Sequence, residues 1–223
     1  MHGRLRGKGM VNYRYIAIEG NIGAGKTTLA NILSRELSSK LIMEEFEENS
    51  FLPKFYEDAE RYAFPLEMSF LASRFNQLKK HLFEQDLFNN TIVSDYIFYK
   101  CLIFSKNNLK EDEYDLYLKL FEIINLQIPQ PDLLIYLHTP LTKLKKQIQL
   151  RGRPYEQNIQ DDYLLNIQEG YWDYLNKNSQ QRILVIDNSS MDMLNSMEQF
   201  ERVHKLLYLP FEPGITRVDL QNL

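Results

Sequence analysis

A chain of 223 residues is enough for one α/β domain with a full core and short for two. Hydrophobic residues make up 44% and aromatic residues 13%, which excludes a disordered chain. A net charge of −4 argues against a nucleic acid polymer or an anionic membrane as a partner held by bulk attraction, and no apolar run is long enough to span a bilayer.

Residues 1–13 are basic (Arg4, Arg6, Lys8) and Gly-rich, with no apolar signal core behind them. They read as a disordered leader, an upstream start or a cloning remnant, with the domain proper over 14–209. Residues 15–19 form a short apolar strand pattern ending at Gly20, followed by helical sequence over 26–38. A second strand is expected at 40–44, and a short polar helix or loop at 52–60. Pro65 suits the first turn of a long helix running to about 88, before a turn at Asn89 and Asn90. Residues 91–95 read as a third strand ending in a carboxylate. Helical sequence spans 98–125 with a turn at 106–108, and Pro129 and Pro131 end it. A fourth strand at 132–138, helices at 141–150 and 161–176, a fifth strand at 182–187 and a last helix at 193–207 complete the pattern. The tail, 210–223, reads as irregular.

Short apolar strands alternating with helices imply a parallel sheet covered on both faces. The expected fold is P-loop NTPase-like: three α/β/α layers, a five-stranded parallel sheet and an arginine-rich lid. Ligands then bind beyond the carboxyl ends of the strands.

The strongest motif is Gly20, Asn21, Ile22, Gly23, Ala24, Gly25, Lys26, Thr27, with Thr28 next, placed between a strand and a helix as a P-loop requires. Its N–H groups face phosphate, Lys26 bridges the β- and γ-phosphates and the Thr27 hydroxyl ligates Mg²⁺. Asp95, ending the third strand, fits a Mg²⁺-holding carboxylate or a helix cap. Glu44 and Glu45 fit a base taking the proton of an attacking hydroxyl, or a solvated acidic loop. Arg151 and Arg153, with Lys145 and Lys146 near, fit a lid closing over a transferring phosphoryl group or a basic helix end. Glu67 and Arg74, seven apart on one helix face with Phe70 and Leu71, form a buried ion pair or read a polar ligand. The single cysteine, Cys101, rules out an internal disulfide, fits a reducing compartment, and reads as a small buried residue.

Together these residues resemble the deoxyribonucleoside kinase family, in its bacterial deoxyguanosine, deoxyadenosine and deoxycytidine kinase form. The resemblance runs from about Tyr15 to Leu207 and rests first on Glu19, Gly20, Asn21, Ile22 and Gly23 of the P-loop. It implies a cytoplasmic homodimer that moves the γ-phosphate of ATP, with Mg²⁺, to the 5′-hydroxyl of a deoxyribonucleoside. Glu44 stands where the family has its general base, although the proline that follows in the family is missing here. Tyr56 and Glu156 match residues that hold the sugar 3′-hydroxyl, and Arg151 and Arg153 match the catalytic lid. Glu67 and Arg74 match the base-reading helix, where Gln is usual in place of Glu67, and Phe104 matches the ring that stacks on the base.

Two departures stand out. The family arginine after the third-strand acid is absent, since Asp95 is followed by Tyr96 and Ile97. The acid that usually partners Arg74 is also absent from Tyr99, Lys100 and Cys101, so Glu67 is expected to take Arg74 instead. An ionised Glu67 accepts hydrogen bonds only, which favours a purine and deoxyguanosine first. Two other functions fit the P-loop: a nucleoside monophosphate kinase of the thymidylate kinase type, and a nucleotide-binding regulator that transfers nothing.

Overall fold

The computed structural model describes residues 12–46, 49–83, 91–190 and 196–220. Its six strands are β1 (Tyr15–Gly20), β2 (Lys40–Ile42), β3 (Ile92–Ser94), β4 (Leu133–His138), β5 (Arg182–Asp187) and β6 (Gly214–Val218). They pair in the order β2-β3-β1-β4-β5-β6, every pair parallel. The helices are α1 (Lys26–Leu37), α2 (Phe51–Glu57), α3 (Ala59–Phe83), α4 (Lys100–Asn108), α5 (Glu111–Asn125), α6 (Leu141–Arg151), α7 (Asp161–Lys177) and α8 (Met197–Leu206).

The central strands are buried on both faces, as unbroken apolar runs in a parallel sheet require. Alternate residues feed two cores. Ile16, Ile18, Ile135 and Leu137 pack with Leu29 and Leu33 of α1 and Val203 and Leu207 beyond or within α8. Ala17, Leu134 and Tyr136 pack on the other face with Ile167, Tyr171 and Tyr174 of α7 and Ile103 of α4. The three-layer architecture is the expected one. Because β1 lies at the centre of the sheet, between β3 and β4, the loops after β1, β2 and β3 open at one edge, where the order of the strands reverses.

Several expectations are corrected. The sheet has six strands, because Gly214–Val218 in the tail pairs with β5 and Leu220 is buried against the α8 side of the core. An edge strand adds ladder bonds without needing a long apolar run, so its sequence signal is weak. Asn12 and Tyr13 belong to the domain: the buried Tyr13 hydroxyl donates to Leu209 O (2.8 Å) and accepts from Phe211 N (2.8 Å). The rest of the proposed leader, 1–11, lies outside the described residues. Helix α3 starts at Ala59, with Pro65 inside it, because the apolar face of Ala63, Leu66 and Phe70 is continuous across the proline. The second strand ends at Ile42, and the break between α4 and α5 falls at Leu109 and Lys110. The expected helix end at 84–88, the turn at 89–90 and the start of the last helix at 193–195 lie outside the described residues.

Leu220 is 4% exposed. Leu220→Ala should therefore cost about 2–5 kcal/mol, the range for buried leucines, read from urea unfolding. A cost near zero would mean that the tail is not part of the domain.

Candidate active site

The loop between β1 and α1 is shaped by glycines where side chains do not fit. A Cβ at Gly20 would lie 2.8 Å from Leu137 O, and one at Gly23, which has φ +81°, 2.9 Å from Ile148 Cγ1 and 3.0 Å from Leu144 O. The loop is tied down from outside, since Asn21 Nδ2 donates to Leu164 O (2.7 Å) and Asn21 Oδ1 accepts from Ile22 N (2.8 Å). Lys26 Nζ donates to Gly20 O (2.9 Å) and Asn21 O (3.0 Å). Burial, then repulsion from Lys100, brings its pKa down to about 8.

Two cavities open at this edge of the sheet. The larger, about 1400 Å³, is lined by Gly23, Ala24, Gly25, Lys26, Thr27 and Thr28 of the loop, with Lys143, Lys146 and Ser189 opposite. The smaller, about 120 Å³, is lined by Ile22, Tyr56, Glu67, Arg74, Phe104 and Glu156 among others. Lys26, Thr27, Glu44, Phe46, Asp95, Arg151 and Arg153 line both. The small cavity is below the roughly 300–1,000 Å³ usual for ligand pockets, so a ligand entering it has to push side chains aside.

At the junction Asp95 joins the two sides. Its Oδ2 accepts from Thr27 Oγ1 (2.6 Å) and its Oδ1 from Glu44 N (2.7 Å). Glu44 Oε1 accepts from Arg74 Nε (2.9 Å) and Nη2 (2.5 Å), and Oε2 accepts from Lys100 Nζ (2.6 Å). Burial would raise the Glu44 carboxyl; Lys100, then Arg74, outweigh it and hold it well below the usual carboxylate range. Glu45 is exposed and lines the larger cavity only, so Glu44 is the acid presented to both.

The expected pairing of Glu67 with Arg74 is corrected. Arg74 is committed to Glu44, to Cys101 Sγ (Nη1 donating, 3.3 Å) and to the Phe70 ring, 4.4 Å below its guanidinium. One helix face brings Glu67 and Arg74 near each other, but Glu44 reaches Arg74 from the loop after β2 and takes it. Glu67, 1% exposed, instead accepts at Oε1 from Asn108 Nδ2 (2.6 Å), and its Oε2 is buried with no partner. Burial pushes its pKa up to about 7, against Arg74 and the Asn108 bond, which lower it.

Lys100 was not singled out from the sequence. It is 5% exposed at the start of α4, bound to Glu44 and 5.5 Å from the Phe104 ring centroid. Its signal was available: a lysine five residues past the strand-ending Asp95, amid Ile97, Phe98, Cys101 and Leu102, cannot be buried without an acid. Lys100 thus brings a buried cation to the site five residues after Asp95. Glu19 was also overlooked as an anchor. Fully buried, it accepts from Ile97 N (3.0 Å), Gly20 N (3.2 Å) and the Tyr171 hydroxyl (2.7 Å), and burial raises its pKa.

The lid is folded inward. Glu156, 5% exposed, accepts from Arg151 Nη2 and from Arg153 Nη1 (3.2 Å), and the Arg153 guanidinium lies 3.9 Å from the Phe46 ring centroid. Tyr56 stacks on Tyr155 with ring centroids 5.6 Å apart, and burial raises its pKa. Thr27 Oγ1 and Asp95 Oδ2 lie side by side at the junction and are hard oxygens of the kind that Mg²⁺ accepts as ligands. Among the described residues no group of three or more acidic, His or Cys side chains is placed to cage a metal. Such a sparse set fits Mg²⁺, which keeps waters and takes phosphate oxygens as ligands.

A family model described as deoxynucleoside kinase matches residues 16–207. The chain is 34% identical over 196 residues to the deoxyguanosine kinase of Bacillus subtilis (strain 168), covering 85% of this chain and 93% of that protein. It is 36% identical over 164 residues to the deoxyadenosine kinase of Dictyostelium discoideum, covering 72% and 66%. A solved structure of deoxyadenosine kinase from M. mycoides, with dCMP and dCDP bound, superposes with a TM-score of 0.76 at 26% identity, over 86% of this chain and 98% of that one.

Glu67 has a stability consequence. Its pKa is raised from 4.5 to about 7 on folding, so the folded chain binds this proton more tightly than the unfolded chain. The stabilisation is full below about pH 4.5 and is lost as pH rises to about 7. Glu67→Gln removes the titration, so relative to wild type it should gain about 2.5 kcal/mol between pH 5 and pH 8, measured by urea unfolding. An equal difference at both pH values would show that Glu67 titrates normally.

Proposed function

The chain belongs to the deoxynucleoside kinase family, and on that premise we propose that it transfers the γ-phosphate of ATP to the 5′-hydroxyl of a deoxyribonucleoside, a purine first. The observation that carries this reading is the shared lining. A cavity of about 1400 Å³ on the P-loop and a small, aromatic-walled one meet at Lys26, Thr27, Glu44, Asp95, Arg151 and Arg153. Donor in one and acceptor in the other would bring their reacting atoms together there.

In this reading the loop amides from Gly20 to Thr28 and Lys26 grip the phosphates. Lys26 then exchanges two backbone carbonyls for phosphate oxygens, which favours its charged form. Thr27 and Asp95 would hold Mg²⁺, which supplies charge neutralisation on the phosphates. Tyr56 and Glu156 take the 3′-hydroxyl, Phe104 stacks on the base, and Glu67 and Arg74 face its edge. The 5′-oxygen bonds to the γ-phosphorus as the bond to the β,γ-bridging oxygen breaks, and Glu44 receives the hydroxyl proton. A carboxylate so well stabilised is a weak base. That suits a loose transition state, in which positioning and electrostatics do most of the catalysis. Arg151 and Arg153 leave Glu156 to meet the charge on the transferring group as the lid closes.

The monophosphate kinase alternative is disfavoured by the match of residues 16–207 to the deoxynucleoside kinase family. Charge does not separate the two, since the small cavity presents Lys26, Arg74, Lys100, Arg151 and Arg153 beside Glu44, Glu67, Asp95 and Glu156. A regulator needs no such acceptor cavity. The chain is further proposed to act in the cytoplasm as a homodimer through its long helices. On α5, Leu116 and Ile123, 52% and 65% exposed and two turns apart, supply apolar surface for a second copy. No helix of the described residues is long and apolar enough to cross a membrane.

Incubating the protein with γ-labelled ATP and a panel of deoxynucleosides and their monophosphates should label the deoxynucleosides. Labelling of the monophosphates alone would refute the assignment. Glu44→Gln should lower kcat by about 10²–10⁴-fold. Lys100→Met removes one of the two cations on Glu44. The acid limb of its kcat/KM profile should then move up by about 1–3 pH units, whereas Lys100→Arg should restore it. An unmoved limb would separate Lys100 from the chemistry.

A further inference from the structure

Among the described acids at the small cavity, Glu67 alone keeps a buried oxygen with no hydrogen-bond partner, and it is built differently from its neighbours. Glu44 holds two cations and Glu156 two arginines. Glu67 has a neutral amide on Oε1 and, on Oε2, nothing. Both oxygens are buried beside a cavity walled by Phe70, Phe104 and Tyr163. The polar edge of a bound base would meet that oxygen away from water.

We propose that the protonation state of Glu67 selects the base: ionised, it favours deoxyguanosine, and protonated, it favours deoxyadenosine. This deepens the acceptor reading above and rests on it. The reason lies in the hydrogen-bonding edges. Guanine presents two donors side by side, N1–H and N2–H, which a carboxylate accepts on its two oxygens. Adenine presents a donor, N6–H, beside an acceptor, N1. A carboxylic acid matches adenine, with one oxygen accepting and the other donating. Since Oε1 already accepts from Asn108, the proton belongs on Oε2, the oxygen left free. Cytosine has the same donor and acceptor order as adenine, so deoxycytidine should follow deoxyadenosine. A Gln here, by contrast, always presents one donor and one acceptor and cannot switch.

The surroundings put this change within reach of ordinary pH. Burial favours the acid; Arg74 on the same helix and Lys100 on α4 favour the carboxylate, and Glu44 opposes it. Cys101 on α4, Tyr117 on α5 and Tyr163 on α7 also interact with Glu67, and burial holds each of them protonated to higher pH than usual. Tyr56, Asp95, Arg151, Arg153 and Glu156 line the cavity for either base. Lys26, with a pKa brought down to about 8, titrates nearby, but it serves the phosphate donor and acts on both nucleosides alike. A ratio between two nucleosides cancels its effect.

The test is competition between deoxyguanosine and deoxyadenosine in one reaction of the full chain with ATP, from about pH 6 to about pH 8, either side of the Glu67 value of about 7. The ratio of their kcat/KM values should rise with pH by on the order of tenfold or more, while deoxycytidine to deoxyadenosine stays flat. In Glu67→Gln the first ratio should be flat as well. A wild-type ratio that is flat or falls with pH overturns the proposal, as does a rise that persists in Glu67→Gln. If that variant does not fold, the two wild-type ratios decide alone. Phosphorylation of both nucleosides at a constant ratio sinks only the switch. Phosphorylation of neither at any pH sinks the acceptor reading and the switch with it.

Discussion

The site hangs on one carboxylate held from three sides. Glu44 sits in the loop after β2, and nothing in that short edge strand would hold it in place. Its side chain is gripped by Arg74 from α3 and Lys100 from α4, and its own N–H is fixed to Asp95 at the end of β3. Asp95 in turn takes the hydroxyl of Thr27 at the start of α1. Five segments, the loop after β2, the end of β3, α1, α3 and α4, are thereby joined through two carboxylates. Two buried cations without Glu44 would face an uncompensated desolvation cost, so the clamp is cooperative: removing any member strands another.

That clamp explains how one sheet edge carries two ligands. The parallel order brings the ends of β1, β2 and β3 together, and the helices that follow them diverge into separate walls. Gly25 and Thr28 belong to the phosphate side, Glu67, Arg74 and Phe104 to the other, and Lys26 and Thr27 line both. The inward pairing of Arg151 and Arg153 with Glu156 keeps all three on the lining of the small cavity. It also means the lid arginines are neutralised until something competes for them.

Much of this was legible in the residues. The P-loop spacing, the strand-ending Asp95 and the paired Arg151 and Arg153 are local patterns, and each names its neighbours within a few positions along the chain, whereas Glu156 was named by the family resemblance alone. What misled was a pairing across the fold. Spacing of seven on one helix brings Glu67 and Arg74 to one face, yet it does not say who else arrives at that face. Glu44 arrives from 30 residues away, and Lys100, a residue read only as the absence of an acid, is its second cation. The sixth strand escaped for a similar reason. Residues 214–218 have little apolar pattern of their own, and they become a strand because β5 offers a free edge.

By itself the sequence determined the period of each element, the parallel α/β architecture and the phosphate loop. These follow from short-range rules: alternation of apolar residues, glycine where a side chain does not fit, and a lysine and hydroxyl at fixed offsets. Only the tertiary structure decided which charges pair, which buried carboxylate oxygen is left without a partner, and where the two cavities join. Those outcomes depend on competition among groups far apart in the chain, in a medium where burial makes each unpaired charge costly. No local pattern carries the result of that competition.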